Sequence, residues 1–170
     1  MGSSRPGTSP GPTLYTPEER ARRDASPWTL VQGVLAPVQF LAFLISLGLL
    51  LRYLTSGAGE QAAMLSVVVK TALLYLIMVT GSIWEKVVFG RWLFAPAFYW
   101  EDVFSMLVLA LHTAYLWCWA THALDGHGLA WLALAAYASY VVNATQFLLK
   151  LRAARLEHAR INAMPEGARA

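Results

Sequence analysis

Three carboxylates stand close together in one stretch, residues 80–103: Glu85, Glu101 and Asp102. Lys86, Arg91 and a dense set of aromatic rings lie among them. Long apolar segments flank the stretch on both sides, so these acids sit at the ends of apolar helices. A charge there is costly unless it has a partner or a task. Two carboxyl groups sharing a low-dielectric mouth separate their proton affinities, so that one holds a proton while the other stays ionised. That combination supplies an acid and a base for adding or removing water. Glu101 and Glu85 are the expected acid–base pair, because each heads a polar stripe. Glu101, Ser105 and His112 fall at offsets of four and seven; Lys70, Leu74, Ile77, Gly81 and Glu85 share another helical face. Asp102 is the third catalytic candidate; it is turned away by one residue, and its alternative role is to pair with Lys86 or Arg91.

Further polar groups lie inside apolar runs. Gln32 and Gln39 are seven residues apart and share a face, and a second line carries Asn143, Gln146 and Lys150. Gln39, Asn143, Gln146, His112 and Ser105 are expected to order water or a ligand, with Trp100 among the rings at the mouth. His112 and the glutamines read equally as hydrogen-bonding glue between helices. Lys70 either snorkels outward or pairs inside the bundle. His122, Asp125 and His127 match no strong metal-binding spacing, so no metal is expected. The lone Cys118 excludes an intrachain disulfide.

The elements that position these groups follow from composition. Of 170 residues, 57% are apolar and 14% charged, against roughly 25% charged in soluble domains. The class is all-α, an integral membrane four-helix bundle. Its spans are expected at 28–54, 62–84, 101–123 and 129–149, each near the roughly 20 residues a bilayer core requires. Thr16 before Pro17, followed by Glu18 and Glu19, signals the start of a short polar helix. Its Arg20, Arg22 and Arg23 are expected to face anionic headgroups. Gly126 and Gly128 read as punctuation of a loop. Residues 1–13 are expected to be a disordered tail, 14–160 the membrane domain with a helical extension past the last span, and 161–170 a frayed tail. The first 27 residues lack an apolar core, so no cleavable signal peptide is expected. Lys and Arg collect in the N-terminal arm, the 86–91 connection and the tail after 150. Positive-inside logic therefore places both termini in the cytoplasm. Most intramembrane polar groups then fall in the cytoplasmic half, as a cavity opening to that side would require. A net charge of +3 distributed this way does not point to nucleic acid.

Four strings, LYTPEERARRDASPW (14–28), VQGVLAPVQFL (31–41), IMVTGSIWEKVVFGR (77–91) and FYWEDVFSMLVLALHT (98–113), resemble the 3-vinyl (bacterio)chlorophyllide hydratases of bacteriochlorophyll biosynthesis. The resemblance covers roughly residues 14–155. It implies a photosynthesis enzyme of the bacterial inner (intracytoplasmic) membrane. Such an enzyme adds water across the C3-vinyl group of a chlorophyllide-type tetrapyrrole to give a 1-hydroxyethyl group. No redox cofactor is needed, and the Mg²⁺ belongs to the substrate; His112 as its ligand is one reading of that residue. Partners are the tetrapyrrole and the lipid bilayer, with room for a homo-oligomer or another biosynthetic enzyme. The competing classes are a non-catalytic pigment-binding or assembly factor and a small transporter subunit. The transporter would need polar groups through both leaflets.

Overall fold

The computed structural model describes residues 14–163; the expected tail at 1–13 and all of the expected 161–170 tail beyond residue 163 lie outside the described residues, while 161–163 continue the last helix. Five helices follow in order: α1 Pro17–Ala25, α2 Pro27–Ser56, α3 Glu60–Phe89, α4 Tyr99–Ala120 and α5 Gly126–Ala163. Among the described residues there is no strand. The closest pairings are α2 with α3 and α4 with α5, two antiparallel hairpins laid against each other.

Four helices are long and apolar enough to cross a membrane, and the chain is a multi-pass membrane protein. Only 22–33% of each apolar window is buried inside the protein. The remaining apolar surface, such as Leu41, Ile45, Val69 and Leu107, faces outward. In water that exposure would be a large penalty; against lipid tails it costs nothing. At about 1.5 Å per residue the 30-residue helices α2 and α3 outreach a hydrocarbon core of about 30 Å.

Local signals explain the helix ends. Thr16 and Glu19 form a reciprocal capping box, with Thr16 N–H on Glu19 Oε2 at 2.9 Å and Glu19 N–H on Thr16 Oγ1 at 3.2 Å. Ser26 caps α2 by accepting the Trp28 N–H on its hydroxyl at 3.3 Å, with Pro27 in the first turn. Gly57 and Gly90 close α2 and α3 in the left-handed conformation. The third span ends at Ala120, short of the expected 123. Gly126 and Gly128, expected in a loop, belong to the first turn of α5. Asp125 accepts the Gly128 N–H at 2.8 Å and so starts the helix. A Cβ at Gly126 would meet the Glu60 carboxylate and the Tyr53 hydroxyl, side-chain ends that must shift to admit it.

One end of the bundle gathers α1, the 90–98 connection and the extension of α5, and it carries most of the basic residues. Here α1 lies on α3. Tyr15 stacks on Phe89 at 5.7 Å, and the Arg22 guanidinium donates to the Val88 carbonyl at 2.8 Å. Arg23 sits over the Tyr15 ring at 4.7 Å and pairs with Asp24. Arg22 and Arg23 thus also hold the protein itself, with Arg22 still exposed. A helix C-terminus has unpaired carbonyls, and Arg22 satisfies one of them.

Candidate active site

The three carboxylates are buried at the basic end, with exposures of 5% for Glu85, 7% for Glu101 and 3% for Asp102. Glu85 comes from the last turn of α3, and Glu101 and Asp102 from the first turn of α4. The 90–98 connection folds back and aims backbone N–H groups at two of them. Phe94 donates to Asp102 Oδ2 at 2.7 Å, and Ala95 donates to Glu85 Oε2 at 3.3 Å. Phe94 adopts a φ of 58° to do so. That left-handed conformation costs a bulky residue about 1–3 kcal/mol, and the carboxylate it faces holds it there.

The carboxyls sort differently from the sequence expectation. Glu85 and Asp102 accept from the N–H groups of adjacent residues, Ala95 and Phe94, and so lie side by side. A bond between two carboxyl groups needs a proton between them. Asp102 therefore has Glu85 and the Phe94 N–H as partners, where Lys86 or Arg91 was expected. Lys86 instead donates to the Gly90 carbonyl at 2.9 Å. Glu101, the expected mate of Glu85, takes Lys150 of α5 in an ion pair at 2.7 Å. Lys150 also lies 5.1 Å from the centre of the Phe98 ring. Lys150 was legible as the end of the Asn143–Gln146 line, but only the packing of α4 on α5 shows its acid.

Deeper along α4, Ser105 gives its hydroxyl proton to the Glu101 carbonyl oxygen at 2.9 Å. Its oxygen therefore accepts, and Asn143 Nδ2 donates to it at 2.8 Å. That orients the amide, and Asn143 Oδ1 is left as a buried acceptor without a hydrogen-bond partner. Gln39 Oε1 and Gln146 Oε1 are in the same condition. Such orphans are uncommon in folded proteins. Gln32 is not among them, because it donates to Thr80 Oγ1 at 2.8 Å, the interhelical bond expected of structural glue.

His112 lies fully buried in the middle of the bundle. Its Nδ1 faces the Val108 carbonyl at 2.8 Å, and a carbonyl can only accept, so that nitrogen carries the proton. Nε2 is then an acceptor, and Lys70 Nζ meets it at 2.8 Å. Lys70 is also fully buried and sits 4.1 Å from the centre of the Tyr140 ring. It pairs inward. Both ring nitrogens of His112 are thus engaged within the bundle. Lys70 as its mate went unforeseen, although both headed stripes were visible in the sequence.

The aromatic mouth divides in two. Trp84, Phe89 and Phe98 cluster with Tyr15 and Phe147. Trp92, Phe94, Tyr99 and Trp100 lie on the outside, with Trp100 68% exposed and edge-on to Tyr99. Trp100 therefore lies outside the acid cluster, on the exposed side of the first turn of α4. Among the described residues no group of three or more His, Cys, Asp or Glu could hold a metal ion.

Fold and site together define a polytopic membrane protein with a shielded carboxyl cluster at one end of a four-helix bundle. Residues 15–153 match the family of 2-vinyl bacteriochlorophyllide hydratases. The chain belongs to that family. The 2-vinyl bacteriochlorophyllide hydratase of Rhodobacter capsulatus is 66% identical over 146 residues, covering 86% of this chain and 85% of the relative. That of Cereibacter sphaeroides is 66% identical over 150 residues, covering 88% and 92%. No solved structure matches the chain.

Proposed function

We propose that this protein hydrates the vinyl group of a chlorophyllide-type macrocycle, the reaction for which its family is named. The family's name numbers that vinyl position 2, where the resemblance above uses 3. The observation that carries the chemistry is the Glu85–Asp102 carboxyl pair, buried beside a Glu101–Lys150 ion pair. The proton shared by Glu85 and Asp102 goes to the terminal vinyl carbon, which becomes a methyl group. The π bond breaks, and the cation forms on the carbon next to the ring, where conjugation spreads its charge. The Glu101 carboxylate lies on the same first turn of α4 and stabilises that charge. Water adds to the cationic carbon and gives its second proton to Glu101, leaving a 1-hydroxyethyl group. The proton then returns to the Glu85–Asp102 pair. Hydration moves no electrons, so no redox cofactor is assigned, and the magnesium is part of the substrate.

Gln39, Asn143 and Gln146 serve as the polar partners of substrate and water. Their orphaned oxygens are acceptors, so they suit water, a donor, better than the carbonyls of the macrocycle. The basic end faces the cytoplasm of a bacterial inner (intracytoplasmic) membrane, supported by the positive charge on α1, the 86–91 connection and the α5 extension. A second copy or a neighbouring biosynthetic enzyme remains a candidate partner. The deciding experiment incubates purified protein with the vinyl substrate and weighs the product. A gain of one water and a shifted red absorption band are expected. Bound but chemically unchanged pigment would assign the protein to pigment handling instead.

A further inference from the structure

Lys150 takes no part in the proton steps above, yet α5 brings it to the first turn of α4. Its ammonium donates to Glu101 Oε2 at 2.7 Å. The Lys150 side chain is 27% exposed and that of Glu101 10%, so the pair sits half inside the protein. Such a pair is screened less than one on an open surface. The other cations nearby are differently engaged. Lys86 donates to the Gly90 carbonyl, and neither it nor Arg91 forms an ion pair among the described residues.

Further contacts fix where that ammonium stands. Lys150 Nζ lies 5.1 Å from the centre of the Phe98 ring, and Phe147, one turn earlier on α5, stacks on the same ring at 5.8 Å and 21°. Phe98 is buried and starts α4: its carbonyl accepts the Asp102 N–H at 3.0 Å. Two turns before Lys150 on α5, Asn143 donates to Ser105, which donates to the Glu101 carbonyl. So α5 holds Glu101 twice, by its main chain through Asn143 and Ser105 and by its carboxylate through Lys150. The ammonium takes Oε2; Oε1 accepts no hydrogen bond among the described residues.

We propose that Lys150 is a positioning residue for the hydration: it holds the Glu101 carboxylate by Oε2 and so leaves Oε1 as the oxygen that receives the water's second proton. This rests on the hydration reading above and deepens it. The contact divides the tasks of the three acids. Glu85 and Asp102 have no cation bonded to them and hold a proton in common, whereas Glu101 has one and carries the negative charge. Lys150 touches neither the water nor the macrocycle in this assignment, so its whole effect passes through Glu101.

The test places the full chain in phosphatidylcholine vesicles and follows hydration of vinyl chlorophyllide by product mass. Turnover is counted per folded molecule, with folding read by circular dichroism on the same samples. Lys150→Met keeps an apolar chain against Phe98 and removes the charge. It is expected to lower kcat by at least about tenfold, with KM little changed. Lys150→Arg restores a cation beside Oε2 and is expected to recover most of that loss. Lys150→Met added to Glu101→Gln is expected to cost nothing beyond Glu101→Gln alone, because a residue acting through a carboxylate has no effect once that carboxylate is gone. The double variant also buries no unpaired charge, so it keeps the test open if Lys150→Met folds poorly. Native kcat in Lys150→Met overturns the proposal. So does Lys150→Arg as slow as Lys150→Met, or a double variant that shows the full product of the two single losses. A native protein that yields no hydrated product removes the hydration reading and this proposal together; native turnover indifferent to Lys150 removes the proposal alone.

Discussion

Glu85→Gln separates proton transfer from structure. In the native protein Glu85 accepts the Ala95 N–H and reaches the Asp102 carboxyl. Glutamine has nearly the same shape. Its carbonyl can keep the Ala95 bond, and its NH₂ can donate to Asp102, so no buried group loses its partner. The change in stability should stay within about 1 kcal/mol, the net worth of one ordinary hydrogen bond. The proton that the pair held in common is gone, however, and an amide cannot replace it. Loss of a positioned general acid typically slows a reaction by about 10²–10⁴. At 1.36 kcal/mol per tenfold, that adds about 3–5 kcal/mol to the barrier. The assay follows hydrated product by mass in lipid-reconstituted protein and unfolding by circular dichroism on the same sample. Glu85→Leu makes the contrast, because it strands Asp102 and the Ala95 N–H and should cost about 1–3 kcal/mol of stability as well. Hydration by Glu85→Gln at the native rate would refute the carboxyl pair as the proton source.

Other substitutions probe the rest of the bundle. His112→Ala removes the hydrogen-bond partner of the buried Lys70 and should lower stability by about 3 kcal/mol, the insertion cost of a mid-bilayer lysine. Adding Lys70→Met should restore much of that loss; an unchanged unfolding midpoint in His112→Ala would show that the pair contributes nothing. Gly126→Ala drives a methyl group into Glu60 and Tyr53. A loss of about 1–3 kcal/mol is expected in denaturant unfolding, as for other overpacked sites, with turnover per folded molecule unchanged. Trp100→Ala removes an outward-facing ring and should leave kcat at its native value, which steady-state kinetics can check. A collapse of kcat there would return Trp100 to the substrate site.

The sequence alone carried the number of spans, the all-helical class and the capped start of α1. These depend on apolar runs and on capping residues a few positions apart, which act locally and need no tertiary partner. It also showed which groups share a face, and so marked Glu85, Glu101, Asp102, Asn143 and Lys150 as polar groups near one membrane boundary. Tertiary structure alone decided who meets whom. Glu101 takes Lys150 because α4 and α5 pack in one particular register, and Asp102 joins Glu85 because the 90–98 connection turns back with Phe94 in a left-handed conformation. Lys70 finds His112 across 42 residues for the same reason. Helical periodicity gives the direction of a side chain about its own axis; the partner it meets depends on how neighbouring helices slide and rotate, which no single helix encodes.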